Sequence, residues 1–97
     1  MFDIIDGSFI WNAEKELINI RRHGVSFGQA TIAFKDVQHL IIEDLGHSQS
    51  EDRFFCIGKV ERSVMTVRFT YRDGLIRIIG AGYWRKWRAY YEEKTRP

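Results

Sequence analysis

Val64 to Ile79 reads VMTVRFTYRDGLIRII, and its centre decides the fold. Asp73-Gly74 is the strongest short hairpin signal, because a two-residue type I′ turn needs positive φ at both positions. With that turn, Arg72 faces Leu75, Thr70 faces Arg77 and Arg68 faces Ile79. Strand alternation then puts Met65, Val67, Phe69, Tyr71, Ile76 and Ile78 on one face. Thr66, Arg68, Thr70, Arg72 and Arg77 fall on the other. A second two-residue turn at Glu61-Arg62 brings Arg53 opposite Thr70. The row Arg53–Thr70–Arg77 then sets like charges side by side on an exposed face, which is unfavourable. A polyanion bound across the sheet supplies a reason for it.

Working outward, strands are expected at about Arg53–Lys59, Val64–Tyr71 and Leu75–Ala81, with Gly80 and Gly82 on the apolar face by parity. Upstream, Ser8 to Trp11 reads as a first strand. Asn12 then caps a helix that carries Glu14 and Glu16 in its first turn and Arg21, Arg22 and His23 in its last. Ala13, Leu17 and Ile20 form its apolar stripe, and Gly24 stops it. Ser26-x-x-Gln29 is a capping box opening a second helix, whose inner face carries Phe27, Ala30 and Phe34. His39 to Glu43 reads as a strand, Asp44 to Asp52 as a loop, and Trp84 to Glu93 as a last helix with Trp84, Trp87 and Tyr91 on one side. The order β-α-α-β-β-β-β-α describes an α+β domain: a mostly antiparallel sheet of about five strands with helices packed on one face.

Ninety-seven residues make one domain with a single core. The chain has no apolar run of membrane-spanning length and no signal-peptide pattern. Cys56 is alone, so no internal disulfide forms, and a cytoplasmic home is expected. The net charge of +2 hides an asymmetry, because residues 1–52 carry −5 and residues 53–97 carry +7. A bipolar chain of this kind can offer a basic surface to nucleic acid. The three histidines and one cysteine have no metal-ligand spacing, so neither a metal site nor a cofactor is expected.

Trp11-Asn12-x-x-Lys15, Asn19, His23-Gly24-Val25-Ser26-Phe27, Ala30, Phe34, His47-Ser48-x-x-Glu51-x-Arg53, Gly58 and Arg77-Ile78-Ile79 resemble the BrnT toxin family. The likeness runs from about Phe9 to Glu93. It implies a single RelE-like domain over residues 1–97 and a ribonuclease activity that inhibits translation. It further implies neutralisation by a BrnA-like antitoxin, a ribbon-helix-helix DNA-binding protein, within a toxin–antitoxin hetero-oligomer. Many relatives end the last strand as Ile-Ser-Ala-Arg. Here Ile79-Gly80-Ala81-Gly82 stands there, so the role of that arginine passes to Tyr83, Arg85 or Lys86, or is lost.

RNA cleavage without a metal needs a base, an acid and cations for the charged transition state. Arg53 and Arg77 are the candidate catalytic cations, with Tyr83 and Arg85 beside them, and Arg68, Arg72 and Lys86 hold RNA. Arginine suits phosphate through its planar fork. His23 is either a general base or a cation capping its helix. Glu51 is a carboxylate base if the loop folds over the basic face, and His47 beside it either orients Arg53 and RNA or is a plain loop residue. Tyr83-Trp84-Arg85-Lys86-Trp87-Arg88 interleaves aromatics with cations, a composition that stacks bases and holds phosphates. Two rival readings remain at this level: a non-catalytic nucleic-acid-binding module, and a degenerate toxin acting only as an interaction protein.

Overall fold

The computed structural model describes residues 2–47 and 50–97. In chain order the elements are β1 (Asp3–Asp6), β2 (Phe9–Asn12), α1 (Ala13–His23), α2 (Phe27–Ala33), β3 (Leu40–Glu43), a 3₁₀ turn (Leu45–His47), β4 (Phe54–Val60), β5 (Ser63–Arg72), β6 (Leu75–Gly82) and α3 (Arg85–Thr95). The strands form one sheet in the order β1-β2-β6-β5-β4-β3, antiparallel except where β2 runs parallel to β6. The α+β class is therefore as expected, with six strands rather than five.

The hairpin turn forms as read: Asp73 and Gly74 have φ of 54° and 77°, and Thr70 pairs with Arg77. Val60 pairs with Ser63 across Glu61-Arg62, so the second turn also closes in two residues. Capping follows the sequence as well. The Asn12 side chain accepts from the Lys15 amide, and both bonds of the Ser26–Gln29 box are present.

Three expectations are corrected. First, Arg68 pairs with Gly80 rather than Ile79, because a bulge between Arg68 and Phe69 leaves Ile79 as an extra residue. The bulge reverses the parity beyond it. Gly80 and Gly82 thus stand opposite Arg68 and Thr66, on the polar face. Second, the helices cover both faces. Phe27, Ala30 and Ala33 pack with Cys56, Met65, Val67, Phe69 and Ile78, whereas Tyr91 and Trp87 of α3 pack with Ile57, Val64 and Phe55. Cys56 and Ile57 are successive residues of β4, so they point to opposite sides. The backbone of α2 comes so close to β4 that a Cβ at Gly58 would lie 2.2 Å from the Ala33 oxygen.

Third, α1 is rotated from its expected setting. Leu17 is 55% exposed and Ile20 also faces solvent, while the buried residue is Asn19 at 7%. β2 pairs with β6 only at Phe9–Ile76 and Ile10–Arg77, which leaves the end of β6 without a strand on that side. Asn19 takes its place. Its Nδ2 donates to the carbonyls of Ala81 (3.0 Å) and Val25 (2.9 Å), and its Oδ1 accepts from the Ala81 amide at 3.2 Å. Three buried backbone groups left unpaired, at about 1–3 kcal/mol each, cost more together than the partial exposure of two aliphatic side chains, so the amide faces inward.

Candidate functional site

Beside that edge, α1 and the start of α3 stand as two walls over the polar face of the sheet. They enclose a cleft of about 530 Å³. Lys15, Ile18, Asn19, Arg22 and His23 line it from α1, Phe55, Thr66, Arg68 and Gly80 from the sheet, and Trp84, Lys86 and Trp87 from the far wall. Lys15, Asn19 and His23 recur every four residues, which on a helix makes one continuous stripe. The rings of His23 and Trp84 meet across the cleft with centroids 5.3 Å apart. Lys86 lies 4.9 Å over the Trp87 ring.

Four cations and a histidine therefore face this space, and no carboxylate is among its described lining residues. Two polar atoms in its floor are buried without a hydrogen-bond partner, Thr66 Oγ1 and Arg68 Nε. Thr66 as a whole is only 1% exposed. Arg68 is oriented from behind: Asp44 Oδ2 lies 3.6 Å from Nε, and the guanidinium sits 5.6 Å over the Phe55 ring.

The candidates named from sequence divide between places. His23, Arg68 and Lys86 are brought together in the cleft, while Tyr83 and Arg85 line a second groove on the far side of Trp84. Arg72 and Arg77 lie elsewhere. Arg72 grips both Glu51 oxygens at 2.8 and 3.0 Å, and Arg77 holds Asp3 with a shortest contact of 2.8 Å. The Arg77 hydrogen bonds hold the Asp3 carboxyl below the usual carboxylate range. The row is thus not an array of repelling charges on an open face, since Thr70 is buried and Arg77 holds a carboxylate from a distant segment, as its neighbour Arg72 also does. Arg53 sits just before β4, next to Asp52, whose carbonyl accepts from Thr70 Oγ1 at 2.6 Å. His47 bonds Asp44 at 2.9 Å, and Ser48 of the matching motif lies outside the described residues. Cys56 is buried, and desolvation pushes its thiol up to about 12, so it is an inert core residue.

Sequence reasoning did not single out Lys15, Arg22, Thr66 or Asn19 as parts of a site. The four-residue spacing of Lys15, Asn19 and His23 was the signal available for α1; nothing local marks Thr66.

The domain is thus a small α+β fold whose sheet carries a cleft lined by cations and, among the described residues, by no carboxylate, a lining that attracts anions. The family model described as "Ribonuclease toxin, BrnT, of type II toxin-antitoxin system" matches residues 11–87, and the chain belongs to that family. It is a ribonuclease toxin, with RNA as target and an antitoxin as partner. No curated protein matches the chain. Among the described residues, no helix is long and apolar enough to cross a membrane.

Proposed function

We propose that the cleft between α1 and α3 is the ribonuclease centre and that it cleaves RNA without a metal, thereby inhibiting translation. The observation that carries this is the lining: four cations and an imidazole converge, two polar floor atoms lack hydrogen-bond partners, and no carboxylate is among the described lining residues, Asp44 meeting Arg68 from outside the cleft. Lys15, Arg22 and Arg68 hold the scissile phosphate and stabilise the charge that builds on it. His23 takes the proton of the ribose 2′-hydroxyl, whose oxygen attacks the adjacent phosphorus. The bond to the 5′ oxygen breaks, and Lys86 on the opposite wall protonates that leaving oxygen. The products are a 2′,3′-cyclic phosphate and a free 5′-hydroxyl.

This reading moves the chemistry from Arg53, Arg77 and Glu51 to the cleft and leaves the ion-paired Arg72 and Arg77 to the scaffold. Neutralisation by a BrnA-like ribbon-helix-helix antitoxin belongs to the same reading, with the antitoxin covering the cleft. The test is cleavage of a mixed-sequence RNA in excess EDTA, with the new ends identified. Cyclic phosphate ends formed in EDTA are expected. Cleavage abolished by chelator and restored by Mg²⁺ overturns the mechanism.

A further inference from the structure

On the other side of Trp84 a second groove, about 470 Å³, runs between the Glu61-Arg62 turn and the outer side of α3. Lys59 and Arg62 from the β4–β5 hairpin meet Arg85 and Arg88 from α3 there, with Tyr83 and Trp84 at the end nearest the cleft. Glu92, the only acid among the described lining residues, stands about one helical turn beyond Arg88 and two beyond Arg85. Arg68, Arg72, Arg77 and Arg96 each meet a carboxylate, whereas among the described residues none forms an ion pair with Lys59, Arg62, Arg85 or Arg88. Four cations against one carboxylate, none of them ion-paired among the described residues, give the groove an excess of positive charge that an anion completes. Tyr83 and Trp84 are half exposed beside them, and Trp84 lines both the groove and the cleft.

We infer that this groove is an exosite for single-stranded RNA, holding the strand that leaves the cleft and passes over the Trp84 indole. The inference rests on the cleft being the cleavage centre. Exposed aromatic rings interleaved with unpaired cations favour RNA over an acidic peptide, because every base offers a face to stack while the cations track the phosphates. The groove thereby sets how long an RNA the toxin grips, without contacting the scissile phosphate.

The experiment is fluorescence anisotropy with uncleavable 2′-O-methyl RNA probes of about four and about twelve nucleotides, lengths within single-strand site sizes. It is run across a range of salt on wild type and the double variant Arg62→Ala/Arg88→Ala. Each single-strand phosphate contact contributes about 0.7 to the slope of log affinity against log salt, so the double variant should lower that slope by about 1.4 for the long probe. Affinity for the short probe should be unchanged. Both residues are exposed, and a matching thermal midpoint verifies the fold. The reversal Arg62→Glu/Arg88→Glu should weaken the long probe further. An unchanged slope for the long probe overturns the exosite, and an unchanged slope with weakened antitoxin binding assigns the groove to the antitoxin instead. Lys15→Ala separates the two readings: if it leaves cleavage intact while the groove variants still act by length, the cleft assignment fails and the groove stands as an RNA surface.

Discussion

Trp84 lies so close against Gly82 that a Cβ at position 82 would come within 2.8 Å of the indole Cη2. Gly82 stands where the resemblance places an arginine in many relatives, so in this chain an aromatic ring fills the space beside the strand end. That ring forms one wall of the cleft and touches His23. Gly82→Ala should displace it. The expected cost is about 1 kcal/mol, at the low end for overpacking because the indole is half exposed and can swing aside. In a Trp84→Ala background the cost should vanish, a coupling that urea unfolding of the four proteins measures. Equal costs in both backgrounds would show that the ring does not set the constraint.

Asn19 should be among the least replaceable polar residues. Asn19→Ala strips partners from the Ala81 amide and carbonyl and from the Val25 carbonyl. An unsatisfied buried group costs about 1–3 kcal/mol, so a total loss of about 3 kcal/mol is expected in denaturant titration. Asn19→Asp should fare no better near neutral pH, since a carboxylate cannot donate to two carbonyls. A loss below about 1 kcal/mol for both would mean that the end of β6 finds another partner.

Stability should fall at both pH extremes through one contact, the Tyr91 hydroxyl donating to Asp36 Oδ2. Burial raises the Asp36 carboxyl, but hydrogen bonds from Tyr91 and from the Lys59 and Gln38 amides outweigh it and hold the group below its ordinary 3.8. A depressed carboxylate stabilises the fold above its unfolded pKa, and that contribution disappears as pH falls through the folded value. Tyr91 behaves oppositely. Desolvation first, then Asp36, pushes its hydroxyl from 10.0 to about 12, so its contribution is complete below 10.0 and is lost as pH rises toward 12. Tyr91→Phe should flatten the alkaline limb of a stability–pH curve and soften the acid limb. Unchanged limbs would show that the contact contributes nothing to either.

Antitoxin and RNA should exclude one another at the cleft. The short 2′-O-methyl probe, bound to wild type, should be released on titration with the antitoxin, and the antitoxin should associate more slowly as salt screens the cations. A stable ternary complex would place the antitoxin elsewhere, for example on the exposed Leu17 and Ile20 side of α1.

Local signals carried most of the fold. The Asp73-Gly74 turn, the Asn12 cap and the Ser26–Gln29 box each act within a few residues, and each forms as read. What escaped was long-range. β1 is four residues with an aspartate at each end, a weak strand pattern, and its tie to the sheet includes an ion pair from Asp3 to Arg77 across 74 positions. Sequence distance likewise hid the carboxylates that meet Arg72 and Arg77, Glu51 and Asp3. The inward turn of Asn19 depends on an unpaired end of β6 that no helical periodicity reveals. The cleft was half legible, since His23, Arg68 and Lys86 stood out by chemistry while Thr66 and Arg22 became visible only once α1 had been placed.

The most direct test of the cleft compares two arginines of one sheet face. Arg68 and Arg77 each meet a single described carboxylate, Asp44 and Asp3, but only Arg68 lines the cleft. Cleavage rates of Arg68→Ala and Arg77→Ala are measured in excess EDTA on the same RNA, with folding verified by thermal unfolding. The account predicts a loss of about 10²–10³ for Arg68→Ala, the usual effect of removing one group that stabilises transition-state charge, and near wild-type cleavage for Arg77→Ala. A wild-type rate in Arg68→Ala with the loss in Arg77→Ala would contradict it and return the chemistry to the Thr70–Arg77 row.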